Sequence, residues 1–178
     1  MKRNNLLEHI TKKVVKMVLS EIKEITPFPN SLVKNVVYHC GNELSHNEFS
    51  DVIWFSEKPI DYFGKSNAYF INIQNPLIVD CQGWGWDDKL WHFCCDEDGT
   101  PNIDPNDSKL TSMMPSFLWK EAQESDDEIE FGDIPYLIKT GNYGNYDSVI
   151  LKNIGETPNC SVETTDYVVF SMDNIRKR

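Results

Sequence analysis

The sequence contains no apolar run long enough to cross a membrane as a helix. Such a helix needs roughly 18 to 20 consecutive apolar residues, and no stretch of the 178 residues approaches that length. Residues 1–25 carry charges throughout what would be the apolar core of a signal peptide. We therefore expect a soluble protein with no membrane partner, located in the cytoplasm or delivered from there as an effector.

Cysteine is too sparse and too irregularly placed for a disulfide framework. The five cysteines are odd in number, and no pair has the CxxC spacing. We therefore expect reduced thiols. The run His92-Phe93-Cys94-Cys95 has metal-binding residue types, but adjacent cysteines cannot easily face one ion, and no second cluster supplies the remaining ligands. We expect no metal.

Positive charge is scarce, because 17 Lys and Arg stand against 28 Asp and Glu, a net charge of −11. This balance excludes a general nucleic-acid-binding surface, which needs an excess of cations to replace phosphate counterions. The deficit is local: residues 83–133 hold 14 acidic and 3 basic residues. We call these residues the acidic segment. Elsewhere acids and bases cancel, so a local basic site, for example at Arg176-Lys177-Arg178, stays open.

Common catalytic and nucleotide-binding motifs are missing as well. The chain has no GxSxG, no Walker-type glycine loop, no GxGxxG and no HExxH. These absences exclude the usual sequence signatures of serine hydrolases, P-loop NTPases, dinucleotide-binding Rossmann domains and zinc proteases. A candidate functional site has to be found from the order of shorter and less specific motifs along the chain.

The apolar pattern predicts a single α+β domain, residues 1–178. Residues 1–30 are predicted to form an amphipathic helix and a linker; the helix either docks on its own domain or binds a partner. Further helices are predicted at residues 116–123 and from residue 133, where Asp133 caps the helix and Gly141 ends it. The rest of the acidic segment is expected to form loops and short helices, and residues 60–66 a short helix. Predicted strands cover residues 35–39, 51–55, 68–80 with a break at Asn75-Pro76, 148–154 and 166–172.

Three places in this pattern are candidates for a functional site. A strand ends in His39-Cys40-Gly41, which offers a ring nitrogen and freely turning backbone. Trp54 on the next strand and Tyr62 just beyond it offer aromatic faces for stacking. Asp166 opens the last predicted strand, where a carboxylate is costly to bury. Each of these places, taken singly, has a purely structural explanation. They would be a histidine at a strand end, aromatic residues in the core, and an aspartate that caps a turn.

Their order along the chain resembles the ADP-ribosyltransferase superfamily, particularly its histidine-type bacterial and phage-encoded domains. The resemblance covers residues 36–175 and rests on five pieces: YHCG (38–41), WFS (54–56) with a following tyrosine, YFINIQNPLIVD (69–80), YDSVILKNI (146–154) and TDYVVFSMDNI (165–175). It implies split antiparallel β-sheets with flanking helices, in which the acidic segment is an enlarged loop and helix insertion.

The resemblance also implies an activity. Members of the family cleave NAD at the nicotinamide–ribose bond and transfer ADP-ribose to a nucleophile. A short chain of this kind is similar to toxin, effector or phage-related mono-ADP-ribosyltransferases, which attach a single ADP-ribose to each modified site of a protein, RNA or DNA. An inhibitor or antitoxin is then a further expected partner, with the acidic segment as a contact surface. The alternatives are a catalytically silent module that binds NAD or a partner, and an NAD glycohydrolase that uses water as acceptor.

The family's motifs assign roles to particular residues of this chain. His39 corresponds to the histidine that binds the adenosine ribose, and the backbone at Cys40 or Gly41 to the clamp on the nicotinamide carboxamide. Trp54 and Tyr62 would sandwich the nicotinamide ring. Asp166, where the family commonly has glutamate, corresponds to the catalytic acid that binds the nicotinamide ribose and stabilises its developing positive charge. Cys40 is an extra residue between the family's histidine and glycine.

Overall fold

The computed structural model describes residues 25–44, 52–90, 108–125, 129–156 and 162–178. The predicted N-terminal amphipathic helix lies outside the described residues, as does the cysteine-containing run at residues 92–95. The remaining predicted elements lie wholly or largely within the described ranges.

The strands form one mixed sheet, so the fold is α+β. They follow the spatial order β4-β5-β6-β2-β1-β3-β7. Neighbouring strands are antiparallel except for the parallel pair β4 and β5. Their bounds are Val37–Cys40 (β1), Ile53–Ser56 (β2), Ser66–Ile71 (β3), Pro76–Asp80 (β4), Ser148–Gly155 (β5), Glu163–Val169 (β6) and Ile175–Lys177 (β7).

Split antiparallel sheets were expected, and the described strands are hydrogen-bonded into one sheet that includes one parallel pair. Strand β6 pairs with β2 along one edge and with β5 along the other, over the same residues 166–169. Because both edges of β6 are used, the two groups of strands join in one ladder. The predicted break in the long third strand is confirmed, since β3 ends at Ile71 and β4 begins at Pro76.

Three α-helices and three short 3-10 turns accompany the sheet in the described ranges. The α-helices are α1 (Ser108–Met113), α2 (Ser116–Glu124) and α3 (Ile134–Thr140). Helices α2 and α3 confirm the two helices predicted there, and α3 ends where the Gly141 N–H donates to the Leu137 carbonyl. Asp133 does not cap α3 with its side chain; its Oδ2 accepts the Glu130 N–H at 3.0 Å instead. The 3-10 turns are Asp61–Phe63, Phe131–Asp133 and Met172–Asn174.

Alternate residues of the central strands enter two separate apolar cores. One core contains Val149 and Val168 from the sheet together with Leu118, Phe131 and Ile134. We call this side of the sheet the helical face, because α2 and α3 pack there. The other core lies on the opposite face and contains Phe55, Tyr69, Ile71, Ile150 and Val169. The period of two along each strand produces this division.

Candidate functional site

Asp166 lies within a strand and not at its beginning. Strand β6 starts at Glu163, three residues before the predicted start, because Glu163 and Thr164 still pair with β5. Asp166 pairs with Ser56 on β2 and with Leu151 on β5, and is only 5% exposed. A carboxyl group in the middle of a doubly paired strand has little access to water, which makes its position more costly than the sequence indicated.

A cavity of about 550 Å3 lies against this part of the sheet. Its residues come from strands β1, β2 and β6 on one side and from residues 130–136 on the other, with two half-exposed aromatic residues, Trp86 and Tyr136, at its border. The full lining comprises Tyr38, His39, Cys40, Trp54, Phe55, Ser56, Ile60, Phe63, Trp86, Glu130, Gly132, Asp133, Tyr136, Glu156 and Asp166. Such a volume suits a small organic ligand or one end of a larger one.

Strand register brings three of the predicted residues together on the helical face. Tyr38 pairs with Ser56, and Ser56 pairs with Asp166, so their side chains share one face. Since side chains alternate along a strand, Cys40 and Trp54 lie on this same face. Cys40, Trp54 and Asp166 all border the cavity.

His39 borders the cavity too, but its ring belongs to the opposite face. The ring centroid lies 5.9 Å from that of Phe55 and 6.4 Å from that of Tyr69, and both of these residues belong to the opposite core. The Nδ1 atom donates to the Trp54 carbonyl at 3.0 Å. His39 therefore holds the strand that carries Trp54, while its imidazole lies across the sheet from Asp166.

Gly41 and Tyr62 do not line the cavity. The Gly41 N–H donates to the Lys65 carbonyl at 2.9 Å, and the Gly41 carbonyl accepts from Asn67 at 3.1 Å. Its φ of +108° belongs to a region that side chains other than glycine's rarely adopt. Tyr62 is 64% exposed, whereas Phe63 beside it lines the cavity.

Sequence reasoning missed Glu156 and Phe63. Glu156 follows β5 and is 7% exposed, although it carries a carboxyl group. A buried charged residue is unusual, but the sequence offers no periodic signal for burial immediately after a strand. Phe63 and Tyr62 are adjacent aromatics in one 3-10 turn, and only the turn's orientation decides which of them faces the cavity.

The Asp166 carboxyl is buried with incomplete hydrogen bonding. Its Oδ1 has no partner among the described residues. Its cross-strand neighbour Ser56 is already engaged, because the Ser56 and Thr164 hydroxyls are 2.9 Å apart. Burial raises the pKa of Asp166 well above its usual range, and the hydrogen bond and charge of Glu156 raise it further. Asp166 thus tends to hold its proton in the absence of a ligand.

The charges at the cavity favour a neutral or cationic ligand group. Four of the lining residues are acidic and none is Lys or Arg. Glu130 is paired with Lys89 at 2.7 Å, and Asp133 accepts the Glu130 N–H. Glu156 and Asp166 lack such a cationic partner among the lining residues, so a phosphate group would lie outside the cavity.

Aromatic residues supply the apolar part of the cavity. Trp54 lies on the same face as Asp166, and Phe63, Trp86 and Tyr136 also border the space. An aromatic ring carrying positive charge can stack on such side chains and approach the carboxyls at once. Among the described residues no group of three or more His, Cys, Asp or Glu is arranged to hold a metal ion.

Phe63→Ala is expected to weaken ligand binding at the cavity roughly 5- to 10-fold, since one aromatic contact contributes about 1 kcal/mol. Tyr62→Ala removes a ring of similar size from the same turn, but this ring is 64% exposed and outside the lining. We expect less than about a 3-fold effect from Tyr62→Ala, through its edge contact with Phe63 at 5.1 Å. Isothermal titration with an N-alkylated nicotinamide measures both; a larger effect at Tyr62 would contradict this arrangement.

Asp166→Asn is expected to raise the free energy of unfolding at pH 8 by about 1 to 3 kcal/mol, because it removes a buried, poorly paired carboxylate. The pKa of Asp166 is higher in the folded protein than in the unfolded chain, where it is about 4. The contribution of Asp166 to wild-type stability is therefore complete below the unfolded pKa and is lost as the pH rises through the folded pKa. The difference between the two proteins should therefore grow from acid to alkaline pH. Urea denaturation at a series of pH values tests this, and a constant difference would contradict it.

Comparison with protein-family models, with curated proteins and with solved structures found no match for this chain. In the part of the chain that the structure describes, none of the helices has the length and apolar character needed to span a bilayer.

Proposed function

We propose that this protein cleaves NAD at the nicotinamide–ribose bond and transfers ADP-ribose to a macromolecular acceptor. The observation that carries the proposal is the buried Asp166 carboxyl, with an unpartnered oxygen, at an aromatic cavity that contains no Lys or Arg in its lining. NAD carries its positive charge on the nicotinamide ring and its negative charges on the diphosphate. The cavity matches the nicotinamide end.

The chemistry needs a carboxylate near the ribose. As the bond to nicotinamide breaks, positive charge builds on the ribose ring, and a fixed carboxylate in a water-poor site stabilises that charge. Asp166 supplies this group in its ionised form. Trp54, on the same face as Asp166, and Phe63 supply apolar surface for the ring of the leaving group.

The fold is compatible with this proposal at a coarse level. A mixed sheet of seven strands with few helices defines the α+β class. Assignment to an ADP-ribosyltransferase-like fold is part of the proposal and is supported by the five sequence pieces in family order. The one connected sheet departs from the split sheets that this resemblance implied.

Incubation of the purified protein with NAD labelled in the adenosine portion, together with cell extract separated into protein, RNA and DNA, tests the activity. We expect label in one macromolecular fraction and release of an equal amount of nicotinamide. Nicotinamide release without macromolecular label would indicate an NAD glycohydrolase, in which water takes the acceptor's place. Absence of both products from every fraction would contradict the proposal.

A catalytically silent NAD-binding module is the second candidate, and the arrangement of the His39-Cys40-Gly41 segment favours it. The His39 ring packs with Phe55 and Tyr69, and the Gly41 N–H is bonded to Lys65. The Gly41 N–H is therefore not free for the role that the sequence resemblance implied, and the His39 ring lies on the face opposite Asp166. NAD binding by calorimetry, with no nicotinamide release, would support this candidate.

A further inference from the structure

Glu156 is held in place beside the sheet, directly after β5. Its backbone N–H donates to the Val162 carbonyl at 2.9 Å, which ties the end of β5 to the residue before β6. The residue is 7% exposed and borders the cavity with Asp166. Burial of a carboxyl group at this place lowers the stability of the fold, and apolar packing alone does not account for a glutamate there.

Burial and acidic groups from several elements together raise the pKa of Asp166. Glu156 follows β5, Cys40 ends β1 and Glu57 follows β2. Cys81, after β4, and Tyr167, on β6 itself, also sense the charge of Asp166. The cavity lining around Asp166 contains no Lys or Arg.

Two buried carboxyl groups in this setting are most stable when one of them holds a proton. Both ionised together would repel each other in a medium that screens charge poorly. A proton on one of them turns the repulsion into a hydrogen bond. Because Asp166 is held in the middle of a strand and Glu156 by its backbone bond to Val162, their backbones cannot separate without disturbing the pairing of β5 with β6.

We propose that Glu156 is a further residue of this site, which forms an acid pair with Asp166 and sets the pH at which Asp166 ionises. In the resting pair, Asp166 donates a hydrogen bond to Glu156. The Asp166 Oδ1 is buried and has no hydrogen-bond partner in the described part of the chain. Glu156 is a positioning residue that acts through Asp166.

This inference rests on the proposed function for its catalytic meaning, but ionisation of the pair is measured without substrate. Carbon-13 NMR of the ligand-free protein labelled at aspartate and glutamate carboxyls follows both groups through a pH titration. Disappearance of one signal in Asp166→Asn assigns the Asp166 carbon. In the wild type we expect two inflections in its curve, since interacting acids titrate as a pair.

Glu156→Gln removes the neighbouring charge and keeps the side-chain size. We expect the Asp166 midpoint to fall by about one pH unit or more in this variant and the second inflection to vanish. Glu163→Gln is the matched control, because it makes the same chemical change at an exposed position of β6 and lies outside the cavity lining. Its Asp166 curve should coincide with that of the wild type.

A single Asp166 inflection in the wild type, or an unchanged midpoint in Glu156→Gln, would overturn the inference. The wild-type curve decides the matter even where the glutamine variant does not fold. If the protein releases nicotinamide, the acid limb of its pH–rate profile should move to lower pH in Glu156→Gln and stay in place in Glu163→Gln. If it cleaves no NAD, the NMR titration still decides whether the pair exists, so the two proposals fail separately.

Discussion

Asp166→Asn is expected to lower the rate of nicotinamide release from NAD by about 100- to 1000-fold. Asparagine has nearly the size of aspartate but cannot carry a negative charge, so the variant loses the stabilisation of the positive ribose. Because Asp166 is 5% exposed and its strand is paired on both edges, bulk water cannot take over this role. The rate is measured by chromatography of released nicotinamide at saturating NAD.

Asp173→Asn is the matched control for this substitution. Asp173 is exposed in the short turn Met172–Asn174 and does not border the cavity, so the same loss of charge there should leave the rate within about 2-fold. In the wild type, the rate should rise with pH, since the raised pKa of Asp166 delays formation of its carboxylate. An Asp166→Asn protein that retains wild-type release would remove Asp166 from the mechanism.

Local patterning predicted most of the strands and helices but not the start of β6. The β-branched and aromatic residues at 167–170 give a clear strand signal. Asp166, of a type depleted in strands, separates that signal from Glu163, Thr164 and Thr165, although threonine itself favours strands. These three residues are extended because β5 continues beside them, past an irregularity after Leu151. Pairing between strands distant in sequence determines this boundary, so no local window contains it.

The site was predictable in part from strand alternation. Side chains at positions 39 and 40 of one strand must lie on opposite faces, so the His39 imidazole and the Cys40 thiol are expected on different sides of the sheet. The register then shows which face holds Asp166: it is that of Cys40 and Trp54. Register depends on the whole sheet, and so does the approach of Glu156 to Asp166 from the end of another strand.

The described parts of the acidic segment, residues 83–90, 108–125 and 129–133, contribute to the core of the domain. The segment is rich in charged residues, but a small number of its residues are strongly apolar. Leu90, Leu118, Trp119 and Phe131 are each no more than 1% exposed and pack against the helical face of the sheet. The charged residues of α2, such as Lys120 and Glu124, remain exposed on its outer side. A helix with these two faces is amphipathic and contributes to the core.

Leu118→Ala is therefore expected to lower the free energy of unfolding by about 2 to 5 kcal/mol. Leu118 is 0% exposed, and its removal leaves a cavity in the core that also contains Val149 and Val168. Lys120→Ala, two residues along the same helix, breaks only an exposed ion pair with Glu124 at 3.7 Å and should cost less than about 0.5 kcal/mol. Urea denaturation followed by tryptophan fluorescence compares the two variants.

The result determines how the acidic segment can be tested as a partner surface. If Leu118→Ala is as mild as Lys120→Ala, the segment is dispensable for folding, and deletion is a valid test of partner binding. If the expected loss is found, deletion would expose the core of the helical face, and any loss of binding would reflect unfolding. Substitutions confined to exposed acids, such as Glu124→Gln, would then be the informative ones, because they remove charge and retain the packing of Leu118.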